Sequence, residues 1–225
     1  MRSCYDFPPV PRLSFPVRAV LFDWDGTLLD SFQADSAAYL ETFRTLGIAW
    51  NARDFKRHYS PNWLRVYRAA RLPRAKWELA DRLWKRAYQV QNPKLLPGAR
   101  AVVRALHRKF PIGIVSSGSG WRVRSQIREF EMRRYVSACV CSEDAPKRKP
   151  DPAPLKVALR RLRVRPSETV YVGDAPEDVE MAKRAGVIPI GVLGPFPTEK
   201  RLRAAKPVLL LDSVQDLPRH LRAIE

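Results

Sequence analysis

Two carboxylates, Asp23 and Asp25, follow a short apolar run in the first part of the 225-residue sequence. The run, Ala19–Phe22, predicts a strand that is buried on both faces, because polar and apolar residues do not alternate in it. A carboxylate directly after such a strand is costly unless something pairs with it. Gly26 lets the chain turn away from the strand, and acids in this place lie in the crevice where open α/β sheets bind ligands. The pair therefore predicts a polar site at the end of the strand.

A second polar segment follows the apolar run Ile112–Val115. Ser116 comes directly after the run and offers a hydroxyl group, while Ser117 and Gly118 offer backbone N–H groups to an anion. The hydroxyl of Thr27, beside the two acids, is a further candidate for the same task. A glycine–serine loop that opens a helix is common, so this segment predicts phosphate binding only together with the other groups.

Two more segments carry charged side chains. Lys149 lies in the basic run 147–152, at the start of a predicted helix. Asp174 follows the predicted strand Thr169–Val172, and Asp178 lies four residues further, about one helical turn away, so that both carboxylates can face one point. Taken alone, the basic run is typical of a solvated surface and the two aspartates of a helix cap.

In this order, the four segments resemble the motifs of the haloacid dehalogenase-like hydrolases, a superfamily dominated by phosphatases. The sequence DWDGT at 23–27 resembles the family's DxDGT, and Ser116 the end of its second motif. The sequences KPDP at 149–152 and GDAPED at 173–178 resemble its Lys-Pro-x-Pro and GDxxxD motifs. The resemblance runs from about Arg18 to Leu217, and the layout is similar to that of phosphoglycolate phosphatases with a helical cap.

The resemblance implies a Mg²⁺-dependent phosphatase that hydrolyses a small phosphomonoester through an aspartyl-phosphate. It implies that Asp23 is the nucleophile, and that Asp25 protonates the leaving oxygen and then takes a proton from water. The Mg²⁺ ligands would be Asp23, the backbone carbonyl of Asp25, and Asp174, with Asp178 nearby. Clustered carboxylates raise each other's pKa unless a cation is present, and Mg²⁺ prefers oxygen ligands of this kind.

The same resemblance implies how the phosphoryl group is held. Ser116 and Lys149 would stabilise its charge during transfer. Additional phosphate contacts are expected from Thr27, Ser117 and Gly118.

Apolar runs and helical patterns alternate around these segments, which predicts an α/β fold with a doubly wound, Rossmann-like parallel sheet. Residues 31–95 show helical patterns without a strand pattern, which predicts a small all-helical cap domain inserted after the first strand. The core domain would then comprise residues 1–30 and 96–225, with the proline-containing residues 1–16 as a loose leader. The further predicted strands are 112–115, 136–141, 169–172, 187–192 and 208–211. The further predicted helices of the core are 99–109, 120–130, 152–162, 176–185 and a last one capped by Ser213.

The cap segment holds four of the six tryptophans, Trp50, Trp63, Trp77 and Trp84. We expect most of them to form the core of the cap and its contact with the main domain, and not a surface on which nucleic acid bases stack.

The formal net charge of +18 predicts attraction to anions. No nucleic-acid-binding motif accompanies the charge, so the charge alone does not predict a nucleic-acid partner, and the resemblance implies a small phosphorylated metabolite instead. Two alternatives stay open. One is a basic nucleic-acid-binding or regulatory protein on a hydrolase scaffold. The other is a sugar phosphomutase of the same family, although the segment Ser31–Leu40 lacks the cap histidine of mutase relatives.

Three cysteines, Cys4, Cys139 and Cys141, are too few for a disulfide framework. No histidine lies near the last two, so the pattern does not predict a zinc site. Reduced thiols are typical of a cytoplasmic protein. The first residues lack the apolar core of a signal peptide, and no run approaches the ~20 apolar residues of a membrane span, so we expect no membrane partner.

Overall fold

The computed structural model describes residues 17–221. Within them, the strands are β1 (Ala19–Phe22), β2 (Leu29–Asp30), β3 (Lys94–Leu95), β4 (Ile112–Val115), β5 (Ala138–Val140), β6 (Thr169–Gly173), β7 (Ile188–Val192) and β8 (Leu209–Leu211). Six of them form one parallel sheet in the order β5-β4-β1-β6-β7-β8. This arrangement confirms the predicted doubly wound sheet and places β1 at its centre.

Helices cover both faces of the sheet. In chain order, the helices are α1 (Phe32–Thr45), α2 (Ala52–His58), α3 (Trp63–Ala69), α4 (Trp77–Gln89), α5 (Ala99–His107), α6 (Gly120–Glu129), α7 (Ala153–Leu162), α8 (Pro176–Ala185), α9 (Glu199–Ala204) and α10 (Leu217–His220). Val20 and Phe22 of β1 lie in an apolar cluster with α5 and α6. Leu21 points the other way, into a cluster with α7 and α8. Both faces of β1 are therefore buried, as its unbroken apolar run predicts.

Three short elements, β2, β3 and α9, depart from the predicted pattern. Lys94–Leu95 is a strand inside the segment predicted to be entirely helical, and it pairs antiparallel with Leu29–Asp30. A strand of two residues shows no periodicity from which it could be predicted. Helix α9 is also absent from the predicted elements, because its six residues are mostly charged and bury only Leu202. The strands β2 and β3 lie where the chain leaves the core for the inserted helices and where it returns, and their pairing holds these two connections together.

Helices α1–α4 and the loops between them, here called the cap, enclose an apolar cluster of their own. Its buried members include Tyr39, Phe43, Phe55, Val66 and Tyr67, and the four cap tryptophans pack against it. Tyr59 of the cap stacks on Phe196 of the core, with ring centroids 4.3 Å apart. Packing against the cap cluster is confirmed for these tryptophans, but all four keep exposed surface, so the expectation that they offer no stacking surface is not confirmed.

The thiols of Cys139 and Cys141 are free, and Cys141 is buried. The predicted leader 1–16, which contains Cys4, lies outside the described residues.

Within residues 17–221, no helix combines the length and the apolar character needed to cross a membrane.

Candidate active site

Three adjacent strands deliver the central polar residues. Asp23 follows β1, Ser116 follows β4 and Asp174 follows β6, and these three strands are neighbours in the sheet. The Asp23 N–H continues the strand pairing by donating to the carbonyl of Val172 at 2.8 Å. Because the strands are parallel, their carboxyl ends meet at one edge, and these side chains share one crevice.

Lys149 lies between two of the carboxylates. Its Nζ is 2.7 Å from Asp23 Oδ1 and 2.8 Å from Asp178 Oδ1, and it donates to the Tyr171 hydroxyl at 2.6 Å. Tyr171 in turn donates to the carbonyl of Val115 at 2.9 Å. The lysine is only 3% exposed, so these contacts hold its charge in a fixed position.

The three aspartates could hold a divalent cation. One carboxylate oxygen from each of Asp23, Asp174 and Asp178 lies within 4.8 Å of the others, and all three residues are buried. Asp174 Oδ2 has no hydrogen-bond partner, which is costly for a buried carboxylate. Gly26, at φ +81°, makes room for this oxygen, because a Cβ there would lie 2.4 Å from it. An orphaned carboxylate oxygen in an all-oxygen donor set fits a hard ion such as Mg²⁺.

The pKa values of these acids reflect crowding. Burial raises the pKa of Asp23 to about 7, an effect that Lys149 opposes and Asp178 increases. Burial also raises the pKa of Asp174 well above its usual range, and the neighbouring charges of Asp178 and Asp23 add to the increase. One lysine does not balance three buried carboxylates, so a cation would relieve the remaining repulsion.

Asp178 has both of its oxygens engaged. Oδ1 accepts from Lys149 at 2.8 Å and lies 3.2 Å from the Tyr171 hydroxyl oxygen, and Oδ2 accepts the Ala175 N–H at 3.1 Å at the start of α8. Asp178 thus caps its helix and fixes Lys149 at the same time. Asp174 is the better placed of the two as a direct metal ligand.

Asp25 is held by an arginine that the sequence patterns did not identify. Both of its carboxylate oxygens receive the guanidinium of Arg122, at 2.8 and 2.6 Å. Burial, the largest influence, would raise the pKa of Asp25, but the charge and hydrogen bonds of Arg122 outweigh it and lower the pKa. The ion pair therefore keeps Asp25 ionised and oriented.

Arg122 also contacts two side chains other than Asp25. It donates to the Tyr88 hydroxyl at 3.2 Å and to Gln126 Oε1 at 3.3 Å, and its guanidinium lies 4.8 Å from the centroid of the Tyr88 ring. Gln126 also accepts the indole N–H of the buried Trp24 at 2.9 Å. Because Tyr88 belongs to α4, this cluster links the cap to the acid motif of the core.

We expect Arg122→Met to destabilise the protein much more than Arg124→Met on the same helix. Loss of Arg122 leaves the Asp25 carboxylate in a buried position without its partner, which typically costs about 3–5 kcal/mol. Asp25 keeps 17% side-chain exposure, so we expect about 3 kcal/mol, at the lower end of that range. Arg124 pairs with Asp144 at the surface, where a pair contributes at most about 1 kcal/mol. The free energies of unfolding of the two variants are measured by urea unfolding in EDTA. Equal losses of this free energy in both variants would contradict the role of the Arg122–Asp25 pair.

Besides Lys149, four residues are expected to bind phosphate; three line the cavity and one, Thr27, does not. Ser116, Ser117 and Gly118 line the cavity beside Asp23. The Gly118 N–H, however, donates to Ser116 Oγ at 2.9 Å, so it is engaged within the loop. Thr27 differs from the expectation, because its fully buried hydroxyl donates to Asp174 Oδ1 at 3.2 Å. In this structure the Thr27 hydroxyl therefore supports an acidic side chain, and its contact with a phosphate stays a prediction.

Asp35 of α1 is a further acid that the sequence patterns did not identify. It is 9% exposed and lines the same cavity. Burial raises its pKa to about 8, the charge of Asp25 adds to the increase, and Arg122 opposes it. In the sequence, Asp35 appears only as a polar residue in a helical pattern.

Comparison with known proteins agrees with this geometry. A sequence model described as haloacid dehalogenase-like hydrolase matches residues 20–192. The chain is 26% identical over 230 residues to the phosphoglycolate phosphatase of Escherichia coli strain K12, covering 89% of this chain and 91% of that protein.

Solved structures show the same fold. A Lactobacillus plantarum protein provisionally assigned as a phosphoglycolate phosphatase aligns with a TM-score of 0.83 at 21% identity, covering 92% of this chain and 100% of the other. A Bacteroides vulgatus protein provisionally assigned as a beta-phosphoglucomutase aligns with a TM-score of 0.76 at 23% identity, covering 91% of this chain and 87% of the other. At these identities the two structures share the fold, which does not by itself distinguish one reaction from another.

Proposed function

The chain belongs to the haloacid dehalogenase-like hydrolases and is a phosphatase of that family, and from this premise we propose that it hydrolyses a small phosphomonoester with Mg²⁺ through an aspartyl-phosphate on Asp23. The proposal extends the similarity to phosphoglycolate phosphatases. It also treats residues 31–95 as a cap domain that covers the site, and it places the enzyme in the cytoplasm, where its thiols stay reduced.

The arrangement of Lys149 carries the proposal. A buried cation between the nucleophile Asp23 and Asp178, beside an unpartnered oxygen of Asp174, is costly for stability and useful for phosphoryl transfer. A transferring phosphoryl group spreads negative charge over its oxygens, and fixed positive charge stabilises it without reorganisation. A purely structural cluster would not require the free oxygen.

Each residue of the site then has a task. Asp23 attacks phosphorus, the bond to the leaving oxygen breaks, and the phosphoryl group becomes bonded to the Asp23 carboxylate. Lys149 favours the ionised form of Asp23 against the effect of burial and orients its carboxylate, since their atoms are 2.7 Å apart. The Ser116 hydroxyl donates a hydrogen bond to a phosphoryl oxygen. Asp23 and Asp174, with Asp178 beside them, would hold Mg²⁺, which would supply positive charge to the phosphate and lower the repulsion between the acids.

Asp25 transfers the protons. It gives one to the leaving alcohol and later takes one from the water that hydrolyses the aspartyl-phosphate. Arg122 holds Asp25 in its ionised form, the form needed to accept the proton from water. Donation to the leaving group requires Asp25 to take up a proton first, which weakens its pairing with Arg122.

The phosphomutase alternative is disfavoured by the residues of α1. The segment Ser31–Leu40 contains no histidine, and its buried carboxylate towards the site is Asp35. A basic nucleic-acid-binding role does not account for the buried site. Its own prediction is oligonucleotide binding that weakens steeply with salt.

We expect the purified protein to hydrolyse p-nitrophenyl phosphate in a metal-dependent reaction. EDTA should remove the activity and added Mg²⁺ should restore it, because the clustered acids repel both each other and the phosphate without a cation. The measurement is the initial rate of nitrophenol release before chelation, after chelation and after Mg²⁺ addition. Full activity in the chelator would contradict the metal assignment.

A further inference from the structure

The cavity beside Asp23 is large for a two-carbon substrate. It encloses about 630 Å³ between the core and the cap, within the range of pockets that bury drug-sized ligands. Phosphoglycolate bound with its phosphate near Asp23 and Ser116 would leave most of this space to water. The cavity therefore accommodates a sizeable group on the alcohol side of a phosphomonoester.

Aromatic side chains line the cap side of this cavity. The six are Tyr39, Tyr59, Trp63, Tyr67, Trp77 and Trp84. Trp63, Trp77 and Trp84 pack against the apolar cluster of the cap yet stay only partly buried, so part of each indole borders the cavity. Exposed indole surface is expensive in water and is a favourable surface for a planar ring.

Charges on the cap side of the cavity are mixed in sign. They belong to Asp35, Arg74, Glu78, Asp81, Arg82 and Lys85. Lys85 is already paired with Asp81 at 2.6 Å. Arg148, from the core, lies over the Trp63 ring at 5.0 Å. A second phosphate or carboxylate would gain little net attraction from such a wall, whereas an uncharged ring would gain contact with the indoles.

We propose that the substrate is a phosphomonoester whose alcohol carries a planar aromatic ring, such as a nucleoside 5′-monophosphate, and that the ring lies against Trp63, Trp77 and Trp84. This inference rests on the proposed function, because the ring is part of the leaving group of that reaction. Water is the co-reactant, and the products are the ring-bearing alcohol and inorganic phosphate. The tryptophans then set specificity while the core carries out the same chemistry on any phosphomonoester.

The main comparison is between substrates that share phosphate and sugar and differ in the ring. AMP and UMP are compared with ribose 5-phosphate, which has the same phosphate and sugar and no base. Pyridoxal 5′-phosphate represents a ring-bearing phosphate that is not a nucleotide. We expect kcat/KM for AMP to exceed that for ribose 5-phosphate by about tenfold to a hundredfold, the range for stacking of one base. A still higher value for pyridoxal 5′-phosphate would also support a ring-bearing substrate and identify its source as non-nucleotide.

A pair of variants tests the site of ring binding. Trp63→Leu should lower the AMP to ribose 5-phosphate ratio of kcat/KM by about fivefold or more, since leucine cannot stack. Trp50→Leu is the control, because Trp50 packs on Phe43 at 4.9 Å and is not among the cavity residues. The ratio is measured on one sample, so it is insensitive to the amount of folded protein. Trp77→Leu replaces Trp63→Leu if the latter does not fold.

Failure of this inference is distinguishable from failure of the proposed function. Equal kcat/KM for AMP, pyridoxal 5′-phosphate and ribose 5-phosphate, with all three hydrolysed, would overturn the ring-bearing substrate and leave the phosphatase intact. Lack of hydrolysis of every phosphomonoester, p-nitrophenyl phosphate included, would overturn the phosphatase itself. An unchanged ratio in Trp63→Leu and Trp77→Leu would overturn the placement of the ring.

Discussion

Asp23→Asn is expected to abolish the hydrolysis of p-nitrophenyl phosphate, with a loss on the order of 10⁴-fold or more, as for removal of other enzymatic nucleophiles. The amide has nearly the shape of the carboxylate but cannot form the aspartyl-phosphate. The fold should persist, because Lys149 keeps Asp178 at 2.8 Å and Tyr171 at 2.6 Å as partners. The measurement is the initial rate in saturating Mg²⁺, together with thermal unfolding of both proteins.

Asp30→Asn provides the matched control for this variant. Asp30 is exposed in β2, only seven residues further along the chain, and the substitution makes the same change of charge. We expect its rate to equal that of the wild type. Equal turnover by wild type and Asp23→Asn would contradict the assignment of Asp23 as nucleophile and with it the covalent mechanism.

Strands β1 and β4 of the core could be predicted because each is a short apolar run that is followed directly by a polar residue. Ala19–Phe22 and Ile112–Val115 are strands with the predicted bounds. Burial on both faces removes the polar alternation, so the run itself is the signal. The pair β2–β3 gives no such signal, because two residues cannot show a period. Its partners are also far apart in the chain, with Leu29 opposite Leu95.

The acids of the site could be predicted for a related reason. Asp23 and Asp174 follow directly after apolar strands, where a carboxylate is costly to bury. Such a residue therefore indicates a functional site. Arg122 gives no comparable signal, since it lies inside α6 among other arginines such as Arg124 and Arg128. Its burial against Asp25 depends on how the helix packs on the sheet. That packing is a tertiary property, which a local pattern does not contain.

Thr27 shows how a correct motif can still mislead about one side chain. A hydroxyl beside two acids suggests a phosphate donor, but the chain turns at Gly26 and directs Thr27 inward to Asp174. The motif position is then explained by support of Asp174, which we propose as a metal ligand. Carboxylates that carry metals are generally held by such neighbouring hydrogen bonds.

Lys149→Met is expected to make the stability of the protein depend on Mg²⁺. The substitution removes the cation that neutralises Asp23 and Asp178 and leaves three buried acids crowded together. In EDTA we expect a loss of about 3–5 kcal/mol in the free energy of unfolding, as for other broken buried pairs. Mg²⁺ at about 100 times its dissociation constant should restore about 2.7 kcal/mol by binding the folded state.

The wild type should gain less from Mg²⁺ than Lys149→Met does, because its lysine already neutralises part of the acidic cluster and repels the incoming cation. Lys156→Met, an exposed substitution on α7, controls for the change of charge, and its free energy of unfolding should stay within about 0.5 kcal/mol of the wild type.

A measurement of activity distinguishes the effect of Lys149 on stability from its effect on catalysis. Even when Mg²⁺ restores the fold, Lys149→Met should hydrolyse p-nitrophenyl phosphate about 10²–10³-fold more slowly, since a fixed donor to the phosphoryl group is lost. An equal Mg²⁺ shift of the unfolding midpoint in wild type and variant would show that Lys149 and the cation do not share the same acids.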